Sequence, residues 1–274
     1  MGLSACAEPF FFFPNQITYI ARDELGAPTE DFYFDSEGAR LHGWWMASLG
    51  APLATVIHLH GNTGNVSEHA GMITWLPRMN INVLTFDYRG FGLSQGQPSL
   101  NGVVMDALAA VAQARERGKG LPLVLLGQSL GGATAIRAAV AATDASIRLL
   151  IIDSAFSSYR AIARMTTQKT PLSPFAPLFL GTLPPATQDP LHMMPRVSSP
   201  VIVLHGEQDR VIPIRHGEQL YAAAPGLKTF LRIPEGHHLD ALMRVDVRHL
   251  VTEAVLWHAR RRGQDTAVSP GAKG

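Results

Sequence analysis

The chain has 274 residues, 46% hydrophobic and 16% charged, enough apolar material for one large core and too short for a second full domain. Its formal net charge is +1, and Lys and Arg are scattered apart from Arg260, Arg261 and Arg262, which excludes a nucleic-acid footprint. A single cysteine, Cys6, excludes an intrachain disulfide and a cysteine-built metal site, and no apolar run approaches the roughly 20 residues of a membrane span.

Residues 1–30 read as an N-terminal extension. Within it Leu3-Ser4-Ala5-Cys6 has the form of a bacterial lipobox, but the short stretch before the cysteine lacks a basic region and an apolar core. Membrane contact is expected only if Cys6 is a lipidated position of a longer natural chain, and the compartment is otherwise open. Residues 31–35 and 40–47, split by Ser36-Glu37-Gly38, predict an antiparallel hairpin. The β-rich runs 55–59, 82–87, 123–126, 149–152, 201–204 and 228–233 predict the remaining strands, apolar enough for a parallel sheet covered on both faces. Helical patterns occupy residues 67–76, 101–117, 130–142, 214–223 and 239–262, with Ser99 or Asn101 capping the second and Gly118 stopping it. Between about 154 and 198, Pro171, Pro174, Pro177, Pro184, Pro185, Pro190 and Pro195 forbid one long helix and predict a small cap of short pieces over the sheet's C-terminal edge. The main domain thus spans 31–262, and the polar tail 263–274 is expected to be disordered.

Gly127-Gln128-Ser129-Leu130-Gly131 follows a strand and opens an alanine-rich helix, the context in which G-x-S-x-G is a sharp turn presenting a nucleophile. Serine needs a base within hydrogen-bond reach and the base needs an orienting acid, which in such a sheet follow in the order acid, then histidine. Asp209 lies just past strand 201–204, with Glu207 as the neighbouring alternative and Asp153 as a reserve acid. The pair His237-His238 then precedes the last helix. His237 is preferred because Gly236 frees the loop to project it, and His238 stays open as the alternative. Donors for a tetrahedral oxyanion are expected from the backbone N–H of Leu130, at a helix start, and of Asn62, in the loop His60-Gly61-Asn62-Thr63-Gly64-Asn65. Asp87-Tyr88-Arg89-Gly90-Phe91-Gly92 reads as a structural turn with a supporting polar network. His42, His58, His192, His216, His249 and His258 read as packing or surface residues.

With Leu41-His42-Gly43-Trp44, the His60 to Asn65 loop, the Asp87 to Ser94 turn, the Ser129 pentapeptide, residues 200–209 and Gly236-His237, the sequence resembles the YfhR-like α/β-hydrolases from about residue 32 to 258. The resemblance implies an α/β-hydrolase fold, with a mostly parallel eight-stranded sheet flanked by helices. It also implies a Ser129, Asp209, His237 triad with Asn62 and Leu130 as the oxyanion hole. The chain departs from that pattern in doubling the histidine and in carrying Asp153 where relatives often have Glu. The expected activity is hydrolysis of a small-molecule acyl ester or thioester through an acyl-enzyme, with no cofactor and no metal. Phe156, Tyr159, Met165, Phe175, Phe179, Met193 and Met194 are candidates for an acyl pocket, although an apolar stripe of this kind is more often simply core. An aminopeptidase on the same triad, for which Asp189 is the main candidate to bind an amine, and a non-catalytic binding protein on a hydrolase fold are the alternatives. Halide or epoxide chemistry through an aspartate nucleophile is excluded by Ser129.

Overall fold

The computed structural model describes residues 11–142, 146–168, 180–181 and 183–261. Cys6, Phe175, Phe179 and the tail 263–274 lie outside them. The strands, in chain order, are β1 (Phe13–Pro14), β2 (Thr29–Ser36), β3 (Ala39–Met46), β4 (Ala54–Leu59), β5 (Thr63–Gly64), β6 (Ile81–Phe86), β7 (Leu123–Gln128), β8 (Ile147–Asp153), β9 (Val201–Gly206) and β10 (Lys228–Ile233). The helices are α1 (Val66–His69), α2 (Gly102–Arg117), α3 (Leu130–Ala141), α4 (Tyr159–Gln168), α5 (Pro190–Met193), α6 (Arg215–Ala223) and α7 (Val245–Arg260).

Among the described residues eight strands form one sheet in the order β10-β9-β8-β7-β4-β6-β3-β2. β2 and β3 pair antiparallel as a hairpin, β3 joins β6 antiparallel, and the other pairings of this sheet are parallel. Every residue of β4, β6, β7 and β9 is buried, as parallel strands require when helices cover both faces. One face packs Val103, Ala107 and Ala110 of α2, Ala135 and Ile136 of α3 and Leu220 of α6. The other packs Val66 of α1 and Val247, Val251 and Val255 of α7.

Two helices are shorter than their patterns predict. The stretch 67–76 is a single turn, α1, followed by 3-10 turns at Ala70–Met72 and Leu76–Met79, because Gly71 and Pro77 interrupt it. The last helix begins at Val245, not at 239, since Leu239 is held at φ 64° and Arg244 is extended. Ser99 Oγ accepts the Gly102 N–H at 2.9 Å and so supplies the cap of α2. Residues 11–25 lie on the body of the sheet, with Phe11, Phe12 and Leu25 buried, and β1 pairs with β5 as a separate parallel two-stranded piece. Phe156, Tyr159 and Met194 expose 2% or less of their surface and pack in the core. No helix among the described residues is long and apolar enough to cross a membrane.

Candidate active site

Ser129 sits between β7 and α3 at φ 55°, ψ −116°, a conformation that L-residues rarely adopt. What holds it there is close packing on both sides. A Cβ on Gly131 would overlap the carbonyl oxygens of Leu59 and His60, and one on Gly127 would overlap the Gly131 carbonyl. Only glycines let the turn close this tightly against the end of β4. The Ser129 N–H donates to the Asp153 carbonyl at 2.8 Å, tying the turn to β8.

Asp209 follows β9. Its Oδ1 accepts the N–H groups of Val211 and Ile212, both at 2.8 Å, and its Oδ2 lies 2.7 Å from His238 Nδ1. Burial alone would raise this carboxyl, but the hydrogen bond and charge of His238, with the Ile212 and Val211 amides, outweigh burial and hold it below the usual aspartate value. Glu207 points to solvent.

The expectation that His237 joins Asp209 is corrected by the geometry: His238 is the histidine placed against the acid. The carbonyls of Gly236 and His237 lie over Gly206, so close that a Cβ there would overlap both. The non-glycine residues Glu235 at φ 58° and Leu239 at φ 64° turn the chain on either side. Neighbouring side chains on this short span face opposite ways, leaving the His238 side chain 19% exposed beside Asp209 and His237 in solvent. The His237 N–H donates to Asp240 Oδ2 at 2.7 Å, which fixes the outward turn.

Asn62 and Leu130 lie on the two elements that meet at Ser129. An ideal Cβ on Gly61 would stand 3.9 Å from Ser129 Cβ, which brings the loop after β4 beside the serine. Leu130 is the first residue of α3, where no intrahelical acceptor exists for its N–H. Among the described residues neither the Asn62 nor the Leu130 N–H is spent on a hydrogen bond.

Beneath the turn runs a buried relay that the sequence reading missed. Thr85 Oγ1 meets His58 Nδ1 at 3.0 Å, His58 Nε2 meets Gln128 Oε1 at 2.9 Å, and Gln128 Nε2 donates to Asp153 Oδ2 at 3.0 Å. Full burial lowers His58 to about 3, so it is neutral and donates through Nε2. Asp153 Oδ1 accepts from Ser154 Oγ at 3.1 Å, and Ser154 Oγ in turn takes the Leu239 N–H at 3.4 Å, next to His238. Full burial pushes the Asp153 carboxyl up to about 6, against the opposing hydrogen bonds of Gln128 and Ser154. Asp153 thus meets the Ser129 turn directly and reaches the His238 loop only through Ser154. At the far side Asp87 accepts from Val66 N–H at 2.7 Å and His42 Nδ1 at 2.8 Å, the supporting network expected of that turn.

Comparison with known proteins fits this geometry. The family model described as serine aminopeptidase, S33, matches residues 50–185. An uncharacterised protein of Escherichia coli K12, YfhR, is 39% identical over 239 residues, covering 85% of this chain and 80% of its own. Among solved structures, an esterase of Pyrococcus furiosus superposes with a TM-score of 0.70 at 21% identity, covering 92% of this chain and 97% of its own. The esterase Est1E of Butyrivibrio proteoclasticus, bound to ferulic acid, superposes with a TM-score of 0.65 at 21% identity over 82% of this chain and 96% of its own. The two structural matches show the shared fold. The strand order, the strained serine turn and the extent of the match to YfhR together place this chain in the YfhR-like α/β-hydrolase family.

Proposed function

We propose that this chain hydrolyses carboxylic esters or thioesters through an acyl-enzyme, with Ser129 as nucleophile, His238 as general base and Asp209 as the acid that orients it. The observation that carries the reading is the 2.7 Å contact of His238 Nδ1 with Asp209 Oδ2, on the same sheet edge as the strained Ser129 turn. With Nδ1–H donated to Asp209, Nε2 is left to accept a proton.

Ser129 Oγ attacks the carbonyl carbon while its proton passes to His238 Nε2. The oxyanion is met by the N–H groups of Asn62 and Leu130. His238 then gives that proton to the departing alcohol or thiol, leaving an acyl-Ser129. Water attacks the acyl group with His238 again taking the proton, the carboxylic acid leaves, and Ser129 Oγ recovers its hydrogen. These steps use side chains and backbone alone. The esterase neighbours support the ester class, and the substrate is a small acyl compound.

An aminopeptidase reading has support from the name of the matching family model, but the acid considered for binding an amine is already engaged. Asp189 is buried and its Oδ1 accepts the Tyr159 N–H at 3.0 Å. The deciding experiment is labelling by a fluorophosphonate beside turnover of p-nitrophenyl esters and aminoacyl p-nitroanilides. Labelling and ester turnover lost in Ser129→Ala support the proposal. Labelling that persists in Ser129→Ala overturns it, and faster anilide than ester turnover transfers it to the peptidase.

A further inference from the structure

The loop that carries Asn62 is held from outside by the N-terminal segment. The Phe13 N–H donates to the Asn62 carbonyl at 2.8 Å and the Asn15 N–H to the Gly64 carbonyl at 3.1 Å. In return Asn65 Nδ2 donates to the carbonyls of Asn15 at 3.2 Å and Ile17 at 2.8 Å, and the Tyr19 N–H reaches Ser67 Oγ at 3.0 Å. The strap is itself braced, with Asn15 Nδ2 on Tyr19 Oη at 2.8 Å and Asn15 Oδ1 accepting the Ile17 N–H at 3.1 Å.

Two consecutive peptide planes meet at the Asn62 Cα, and each has its own clamp. The plane that contains the Asn62 N–H also contains the Gly61 carbonyl, which faces His60 Nδ1 at 2.8 Å. Burial and the neighbouring His69 and His58 keep His60 neutral and well below its usual pKa, and a neutral ring with its proton on Nδ1 donates this bond. In a trans peptide the N–H points opposite to the carbonyl, so this bond aims the Asn62 N–H away from His60. The next plane contains the Asn62 carbonyl, and Phe13 holds it. Without the Phe13 bond the second plane loses the restraint on its carbonyl, and rotation about the Asn62 Cα then pulls against the single His60 bond that orients the first.

Burial does not account for this contact. Phe11 and Phe12 supply the apolar anchoring, Phe11 against Phe156 and Tyr159 and Phe12 against Phe91. Phe13, by contrast, leaves its side chain 52% exposed and spends its backbone on the loop.

We propose that residues 11–19 are a positioning strap for acyl transfer, in which the Phe13 backbone N–H, by holding the Asn62 carbonyl, keeps the Asn62 N–H aimed at the developing oxyanion. This rests on the assignment of Asn62 and Ser129 under the proposed function. The test compares Phe13→Pro, which removes the N–H, with Phe13→Ala, which keeps it. Both are assayed in the full chain with a p-nitrophenyl ester and with a trifluoromethyl ketone, whose serine adduct carries the oxyanion. The expected result is a kcat for Phe13→Pro about tenfold or more below that of Phe13→Ala, with KM within about twofold and ketone affinity weakened by a similar factor, since loss of one oxyanion donor lowers kcat by roughly 10²–10³. Should Phe13→Pro fail to fold, Asn15→Ala keeps every backbone donor while loosening the strap, and it is expected to lower kcat and ketone affinity together by a few-fold. Equal kcat and equal ketone affinity in Phe13→Pro and Phe13→Ala, or an unaffected Asn15→Ala where the first does not fold, overturn the strap. If ester turnover survives Ser129→Ala, the acyl-transfer reading itself has failed, a result distinct from failure of the strap alone.

Discussion

His238 Nδ1 stands 2.7 Å from Asp209 Oδ2, while the adjacent His237 ring reaches no acid among the described residues and its Nδ1 lies 3.4 Å from the Gln208 carbonyl. Two histidines that are neighbours in the chain thus have separate fates, one beside the acid and one in solvent. His238→Ala is expected to lower kcat by about 10³-fold or more, and His237→Ala by less than about threefold. Steady-state ester kinetics on the two variants decide it, and the reverse ranking would return the role to His237.

Asp209→Asn keeps the shape of the loop but removes the charge that favours His238 in the tautomer with its proton on Nδ1. A loss of roughly 10²–10⁴ in kcat with little change in KM is expected. The Val211 and Ile212 amides that bond Oδ1 at 2.8 Å are still satisfied by the asparagine oxygen, so the melting temperature should move little. A large drop in melting temperature with kcat intact would mean that Asp209 is structural.

Asp153 gives a pH dependence with a definite sign. Burial lifts its folded pKa to about 6, above that of an ordinary aspartate. Its contribution is therefore most favourable below the unfolded pKa and is lost as pH rises through about 6. Asp153→Asn, which cannot ionise, is expected to gain stability relative to the parent between pH 4 and 7, with the gap closing in acid. Melting curves of both proteins across that range test this, and parallel curves would show that Asp153 does not titrate in the fold.

Gly131→Ala places a methyl group against the Leu59 and His60 carbonyls, backbone atoms that have no rotamer by which to move aside. A loss of about 3 kcal/mol or more of stability is expected, in the range of overpacking at a rigid site, together with loss of ester turnover. Chemical denaturation measures it. A variant within about 0.5 kcal/mol of the parent would mean that the turn is looser than described.

Much of this site is legible in the sequence because it depends on local chemistry in a fixed order. A strand, a glycine-flanked serine and an alanine-rich helix identify the Ser129 turn, and Asp209 announces itself by following a short apolar strand. The choice between His237 and His238 is not local in that sense. It turns on positive φ at Glu235 and Leu239, neither a glycine, and on the overlap of the loop with Gly206 from another strand. The relay through His58, Gln128 and Asp153 draws one residue from each of three neighbouring strands, and no spacing along the chain advertises that. Residues 1–30 read as an extension of the domain, yet Phe11 and Phe12 within them are core and Phe13 is spent on backbone pairing. The break in the last helix follows from Leu239, where a leucine gives no sign that it adopts a left-handed backbone.

The conformation of Ser129, at φ 55° and ψ −116°, sets the site against the stability of the chain that carries it. A serine there holds strain of order 1–3 kcal/mol that a glycine would not, although glycine returns part of this through the greater freedom of its unfolded state. Ser129→Gly is thus a substitution that selection for thermal resistance alone is expected to accept, yielding a sturdier protein that lacks the Ser129 hydroxyl. A library of this chain sorted only for survival on heating should accumulate that glycine, and its recovery would identify the turn as a place where endurance and chemistry are opposed.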